Sequence, residues 1–384
     1  MMTLRRSCLT KSGANCGTRG LKRPAPQPTL KSCWARRKAR DRWEAGSMPE
    51  LRRGPLPGRW VIVAPERGRR PLDFRAEDAT QTERRGKCPF CPGNEHMTPP
   101  EIYRVPGPEG DWRVRVVPNK FPALSDYPAL NPASQGPFLK MNGVGAHEVV
   151  IDTPDHAHDL DELPQEQVEL VVETYVHRLR CLAKDGRFRY VQLFKNHGAK
   201  GGASLLHPHS QIVATPIVPP EVEARLGAAR DHYERSGTCL VCTLLEKELS
   251  AGVRVVEASE RFVVLAPYDS RFPFELLIVP RFHAHDFVAM TQEERVAFAG
   301  VLRRTLARLR NLLGDVPYNF VLQTSPVPEP GKGWDWPELP SGYHWHLEIL
   351  PRLTQLAGFE WGTGMYINPV PPEEAARHLR GVKQ

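Results

Sequence analysis

Apolar positions along this chain switch between two periods, and they do so in the same order twice. Arg59-Trp-Val-Ile-Val-Ala64, Arg113-Val-Arg-Val-Val117 and Glu148-Val-Val-Ile151 alternate or run continuously apolar, which predicts strands. From 163 to 184 the spacing lengthens: Val168, Val171, Tyr175, Leu179 and Leu182 recur at three- and four-residue steps, with Pro164 near the start. That is the pattern of an amphipathic helix. Arg189-Tyr-Val-Gln-Leu-Phe194 reads as a strand, a Gly-rich loop follows, and a His-rich segment runs into Gln211-Ile-Val-Ala214.

The second half retraces this path. Arg261-Phe-Val-Val-Leu265 and Glu275-Leu-Leu-Ile-Val279 are predicted strands. Thr291 with Glu294 forms a capping box, opening a helix with Phe298, Leu302, Leu309 and Leu312 on one face. Asn319–Gln323 and His344–Leu350 complete the set as strands, and residues 215–238, with Pro216, Pro219 and Pro220, read as a linker ending in a short helix. The expected fold class is α+β: two tandem half-domains, each a mainly antiparallel sheet with packed helices.

Composition adds limits. The 384 residues are enough for two domains, each with its own core. No apolar run approaches the roughly 20 residues of a membrane span. The net charge of +8 comes from residues 1–47, where twelve Lys or Arg face only Asp41 and Glu44, so the rest is slightly acidic. A basic extension of this kind could be a transit peptide. The simpler expectation is a disordered tail or an upstream start, with Met48 beginning the folded protein. The domain organisation is then 1–47 as extension, 48–220 as the N-terminal half and 221–384 as the C-terminal half. Cys8, Cys16 and Cys33 lie in the extension and Cys181 is isolated, leaving two CxxC pairs. This is no disulfide framework; it points to a reducing compartment such as the cytoplasm, with thiolates used on metal.

Those pairs belong to a repeated grammar. Cys88-Pro-Phe-Cys91, His156-Ala-His158-Asp159 and His207-Pro-His209 in the first half are echoed by Cys239-Leu-Val-Cys242, His283-Ala-His285-Asp286 and His344-Trp-His346. A CxxC pair alone is a moderate zinc signal; the whole ordered set occurring twice is far more specific. In an extended strand the two imidazoles of an HxH face the same way, about 7 Å apart. Three readings follow: both bind metal, one binds while the other reacts, or both are packed polar residues. Two thiolates, one upstream His and one His of each HxH close a tetrahedral site. The second His is then free to act as a nucleophile.

The surroundings of His209 suggest its target. Gly198-Ala-Lys200-Gly201-Gly202-Ala-Ser204 precedes it, and a loop with so little side chain lets backbone N–H groups approach a phosphate. Lys200, Ser204 and Gln211 add donors. A tight turn needing Gly would explain any one of these glycines, but not the set. His346 lacks this setting and has Glu348 where the first half has Gln211, so the second half reads as scaffold. His158 and His285 are expected at helix entrances rather than on metal.

Asn196-His-Gly-Ala-Lys-Gly-Gly-Ala-Ser204 running into His207-Pro-His209-Ser-Gln211 resembles the active-site motif of the galactose-1-phosphate uridylyltransferases, a duplicated branch of the histidine-triad superfamily. Cys88-Pro-Phe-Cys91, Val117-Pro-Asn119-Lys-Phe-Pro-Ala-Leu124 and Pro65-Glu-Arg67-Gly-Arg-Arg70-Pro71 are also similar to family segments. The resemblance spans residues 50 to about 382. It implies histidine-triad-like halves in which His209 attacks the α-phosphorus of a nucleotide-sugar, releases hexose 1-phosphate and passes the nucleotide to a second acceptor. Gln211 would bond a phosphate oxygen of the nucleotidyl-histidine. It further implies zinc on Cys88, Cys91, His156 and His207, a second zinc on Cys239, Cys242, His283 and His344, and nucleotide-sugar contacts from Arg67, Arg70, Asn119, Asn196, Gly202, Ala203 and Ser204. A homodimer is also implied. One departure stands out: well-known members carry a Gln near the C-terminus that holds the hexose phosphate, and the corresponding stretch here, Gly358–Pro369, has Tyr366 near that position. That stretch and the paired CxxC motifs are more similar to the branch containing plant ADP-glucose phosphorylase, which transfers adenylyl and accepts inorganic phosphate. A nucleic-acid-binding zinc module is the non-enzymatic alternative. Against it, the basic charge sits in the extension and no Arg/Lys-rich helix suits a groove.

Overall fold

The computed structural model describes residues 49–67 and 88–382; the basic extension and Arg70 lie outside them. The chain enters through β1 (Glu50–Arg53) and β2 (Trp60–Val63). It continues through β3 (Tyr103–Pro106), β4 (Trp112–Pro118), the hairpin β5 (Ala133–Gln135) and β6 (Phe138–Lys140), and β7 (Ala146–Ile151). Then come α1 (Gln165–Ala183), β8 (Tyr190–His197) and β9 (His209–Thr215). Two helices, α2 (Pro220–Ser236) and α3 (Leu240–Ala251), lead into the second run: β10 (Val255–Ala258), β11 (Phe262–Leu265), β12 (Leu276–Pro280), α4 (Gln292–Leu313) and β13 (Tyr318–Gln323). The chain ends through α5 (Leu339–Gly342), β14 (His346–Pro351), α6 (Gly358–Thr363), β15 (Tyr366–Asn368) and α7 (Pro372–Arg380).

Ten strands form one sheet in the order β10-β11-β12-β14-β13-β8-β9-β7-β4-β3, with antiparallel neighbours throughout. Each half contributes five strands in matching order, and the halves meet along β8 and β13, with Asn196 opposite Asn319. The α+β class and the repeated half-domain plan are present. The two halves nevertheless share one principal core, which includes residues of both α1 and α4, rather than holding one each. The reason is local: β8 and β13 would each be an open sheet edge, and each satisfies the other's unpaired N–H and C=O groups.

The periodicity of α1 is borne out, with Val168, Val171, Tyr175, Leu179 and Leu182 buried. The capping box of α4 has both hydrogen bonds, Thr291 N–H to Glu294 Oε2 at 2.8 Å and Glu294 N–H to Thr291 Oγ1 at 3.3 Å. Leu313, not Leu312, is the fully buried residue of its last turn. The expected linker is mostly the 17-residue α2, whose apolar stripe is too thin to stand out, with only Val222, Arg225 and Ala229 buried.

Strand alternation decides which side chains reach which face. On β9, Ile212 and Ala214 join the principal core. His209 and Gln211 pair with Ile151 and Val149, which belong to a smaller cluster with Cys88, Phe90, Trp112 and Val117 on the other face. β14 repeats the division: Leu347 and Ile349 enter the principal core, while Glu348 pairs with Leu277, which packs against a cluster containing Cys239, Val263 and Val279. Each candidate site therefore stands beside its own Cys pair.

Candidate active site and metal centres

Two groups of four side chains converge, Cys88, Cys91, His156 and His207, and Cys239, Cys242, His283 and His344; in each, the ligand atoms lie within 4.8 Å of one another. Cys91 Sγ is 3.3 Å from His156 Nδ1 and 3.6 Å from His207 Nδ1; Cys242 Sγ is 3.4 Å from both His283 Nδ1 and His344 Nδ1. Ligands about 2.0–2.3 Å from one tetrahedral ion lie about 3.3–3.8 Å apart, so the donor sets fit. The outer nitrogens are tied down as well. His207 Nε2–H donates to Thr153 O at 2.8 Å, His283 Nε2–H to Pro340 O at 2.8 Å and His344 Nε2–H to Pro280 O at 3.1 Å. Such bonds fix the tautomer that turns Nδ1 towards a metal. His158 and His285 stand apart from both groups: His158 binds Asp155 and His285 binds Ser325 Oγ.

His209 is buried at the start of β9, with the Phe90 ring edge-on to it at 5.4 Å and to His207 at 6.1 Å. Its Nδ1 lies 2.9 Å from the carbonyl of His207, which only accepts, so Nδ1 carries the proton and Nε2 the lone pair. Burial pushes this imidazole down to about 4, outweighing the opposing bond to His207. The ring is therefore neutral near pH 7.

Gln211 stands two residues on, and its orientation has a cause the sequence did not reveal. The N–H of Ala123 donates to His147 Nδ1 at 3.1 Å, which leaves His147 Nε2–H to donate to Gln211 Oε1 at 2.8 Å. The Gln211 amide NH₂ is thus left to donate elsewhere. Asn119 lies in the same group, 3.2 Å from His147 Nε2 and bound by the N–H of Phe121 at 2.9 Å.

The Gly-rich loop is a short turn, Ala199–Gly201, ended by Gly202 at φ +89°, a conformation suited to glycine. The N–H groups of Gly201, Gly202 and Ala203 bond within the turn, to Gly198, Ala199 and Gly198. The side chains of Lys200 and Ser204 are exposed. The second half secures this loop: Asn319 Nδ2 donates to Asn196 Oδ1 at 2.8 Å and to Gly201 O at 2.6 Å. A Cβ at Gly201 would lie 2.8 Å from Tyr318 O, so the approach requires glycine. Arg67 is exposed at the end of the turn after β2.

Beneath β9 lies a buried ionic network. Lys195 Nζ is 2.8 Å from Asp152, 2.9 Å from Asp159 and 3.3 Å from the carbonyl of His209. Ser210 Oγ donates to Asp152 at 3.1 Å and meets Tyr175 OH at 2.5 Å. Parity was the available signal for Lys195, since it follows the core residues Val191 and Leu193 by steps of two.

His197 ends the network between Asp159 at 2.7 Å and Asp315 at 2.8 Å, stacked on Tyr318 at 4.8 Å, while Lys195 and Arg310 share its carboxylates. Burial opposes its charge, but the two carboxylates outweigh that and lift it to about 9. A raised value means the stabilisation is complete below about pH 6.5 and is lost as pH climbs through about 9, with a ceiling of roughly 3 kcal/mol. Thermal melts should therefore show His197→Asn costing more at pH 6 than at pH 10; equal shifts at both would remove the charge from this account.

In the second half, His346 Nδ1 also faces the carbonyl two residues back, His344 O at 3.3 Å, and burial pushes it down to about 4. The position matching Gln211 is Glu348, held by Arg225 at 2.9 Å and Arg271 at 3.1 Å. Burial disfavours its charge, but both arginines keep it well below the usual carboxylate range. An ionised carboxylate here only accepts, so it cannot donate to a phosphate oxygen as the Gln211 amide can.

Comparison with known proteins agrees with this duplication. Residues 40–219 match the N-terminal domain, and residues 225–374 the C-terminal domain, described as galactose-1-phosphate uridyl transferase. The chain is 37% identical to the ADP-glucose phosphorylase of Arabidopsis thaliana over 87% of this chain and 93% of that one. It is 36% identical to the galactose-1-phosphate uridylyltransferase of Thermotoga maritima over 87% and 98%. A crystal structure of the Arabidopsis phosphorylase with bound ADP-glucose superposes with a TM-score of 0.74 at 36% identity, covering 88% of this chain and 100% of that one.

Proposed function

The chain belongs to the galactose-1-phosphate uridyl transferase family, and we propose that it moves a nucleoside monophosphate between hexose 1-phosphates through a covalent intermediate on His209. The observation that carries this reading is the His209 tautomer: Nδ1 is committed to a backbone carbonyl, leaving Nε2 with its lone pair, two residues before Gln211 on the same strand.

In the first step the Nε2 lone pair forms a bond to the α-phosphorus of a nucleotide-sugar. The bond from phosphorus to the hexose 1-phosphate oxygen breaks, and that electron pair leaves with hexose 1-phosphate. In the second, a phosphate oxygen of the incoming acceptor forms the new bond to phosphorus and the N–P pair returns to Nε2. The Gln211 NH₂ donates to a phosphate oxygen throughout. Lys200 and Ser204 supply further donors, and Arg67, Arg70, Asn119, Asn196, Gly202, Ala203 and Ser204 hold the nucleotide-sugar. Zinc is the metal proposed for both Cys₂His₂ groups; bound there, it clamps His207 and keeps the strand entry rigid. A homodimer in the cytoplasm, free of nucleic acid and membrane, completes the proposal.

Uridylyl transfer from UDP-glucose, with galactose 1-phosphate as acceptor, is the leading reading. Adenylyl transfer from ADP-glucose to phosphate is the second, favoured by Tyr366, which pairs with Val61 on β2 and lies under Arg59 instead of offering a Gln. Incubating the protein separately with UDP-glucose and ADP-glucose labelled in the nucleotide, then trapping labelled protein, decides between them. Label from ADP-glucose alone would replace the first reading by the second, and label from neither would end both. The halves are unequal in this scheme, so His346→Asn should lower turnover less than about threefold. A loss equal to that of the His209 variant would overturn the single reactive half.

A further inference from the structure

The segment between β13 and β14 replaces the Gly-rich loop of the first half and forms one wall of a cavity that neither metal centre borders. The cavity has a volume of about 220 Å³. At roughly 30 Å³ per water it takes at least about seven waters, the space of one six-membered ring with its hydroxyls. The second wall is a single stripe of α2, where Glu223, Leu226, Gly227 and Arg230 recur at three- and four-residue steps. Facing that stripe are Trp334, Asp335 and Trp336.

Both indoles are fixed before any ligand arrives. Trp334 Nε1–H donates to Pro326 O at 3.0 Å, and its ring stands edge-on to His285 at 5.4 Å. Trp336 is buried against Tyr233 at 6.0 Å, and a Cβ at Gly342 would lie 2.3 Å from its ring. The α2 wall is open by contrast. A Cβ at Gly227 would meet nothing within 4 Å, and the backbone there is not left-handed. Glycine inside a helix is destabilising relative to alanine, so what this one provides is room.

Glu223, Arg230 and Asp335 line the cavity, are exposed, and form no ion pair or side-chain hydrogen bond among the described residues. Glu223 and Arg230 are separated by about 10 Å of helix rise, too far to pair with each other. Two carboxylates disfavour an anion, and the guanidinium disfavours a cation. Together they supply acceptors and donors, which suits a neutral ring carrying several hydroxyls. Such a ring also has an apolar C–H face to set against an indole.

We infer that this cavity binds an uncharged hexose, its C–H face against Trp334 and Trp336 and its hydroxyls on Glu223, Arg230 and Asp335. None of the residues assigned to the His209 site lines it, so the inference stands apart from nucleotidyl transfer.

Saturation-transfer NMR of the full, metal-loaded chain with glucose and with galactose tests this. At least one hexose should bind saturably with a Kd of about 1–10 mM, as expected for a ligand of this size. Gly227→Leu fills the open wall with a good helix former, so folding and nucleotidyl transfer should persist while hexose affinity falls about tenfold or more. Arg230→Gln and Asp335→Asn, both at exposed positions, should each weaken binding about three- to tenfold. Absence of saturable binding by both hexoses, or wild-type affinity in Gly227→Leu, would overturn the inference. If Gly227→Leu is unfolded by circular dichroism, the other two variants decide, and wild-type affinity in both overturns it. Displacement of the hexose by inorganic phosphate or by lysine at equal concentration would show recognition of charge and have the same effect. Failure of His209 to load nucleotide would leave all these readings unchanged, so the two proposals fail separately.

Discussion

His209→Asn should reduce nucleotidyl transfer by about four orders of magnitude or more and leave no labelled protein after incubation with either nucleotide-sugar. Losses of that size accompany removal of a covalent nucleophile elsewhere. The size follows from what the site retains. Asn cannot present a ring lone pair where Nε2 stands, and neither Gln211, turned by His147, nor the loop donors Lys200 and Ser204 can replace it. Folding should survive, because the strand is held from beneath by Lys195 on the His209 carbonyl, which the substitution leaves in place. Metal content should also be unchanged, since His207 and not His209 belongs to the Cys₂His₂ group. A variant retaining a tenth of wild-type turnover, or still carrying trapped nucleotide, would remove His209 as the nucleophile.

Cys88→Ser and Cys239→Ser should each lower bound metal by one equivalent per chain, measured by elemental analysis, and each should lower the melting temperature. Zinc binding contributes on the order of 10 kcal/mol to small metal modules. The consequences for turnover should differ. Losing the first centre frees His207, whose carbonyl sets the His209 tautomer, so Cys88→Ser should also lose most activity. Cys239→Ser acts on the half to which the proposed mechanism assigns no reactive imidazole and should keep more. Unchanged metal stoichiometry in both variants would end the two-centre reading.

What the sequence made legible is what local chemistry demands. The CxxC and HxH pairs are local, so the residue types of both metal groups were readable, while the particular histidines of each quartet came from the family resemblance. Strand and helix periods placed β4, β7, α1, α4 and β14 because burial on one face imposes them. Other features depend on partners far apart in the chain. Lys195 reads as a charge on a strand, and only the convergence of Asp152 and Asp159 explains its place in the core. His147 reaches Gln211 across neighbouring strands, 64 residues away. The Gly-rich loop was recognisable by composition, yet the turn closed by the N–H groups of Gly201, Gly202 and Ala203 was not. The joining of both halves into one sheet was equally hidden, since nothing in either β8 or β13 specifies the other.

That joint bears on how the two copies could diverge. On the proposed mechanism the second half is released from chemistry, and its loop after β13 carries prolines and tryptophans where the first half has glycines. At Asn319 it was not released, because that side chain grips the loop of its sibling. Change in the second half is therefore bounded at this contact, because losing the Asn319 amide would free the loop of the first half.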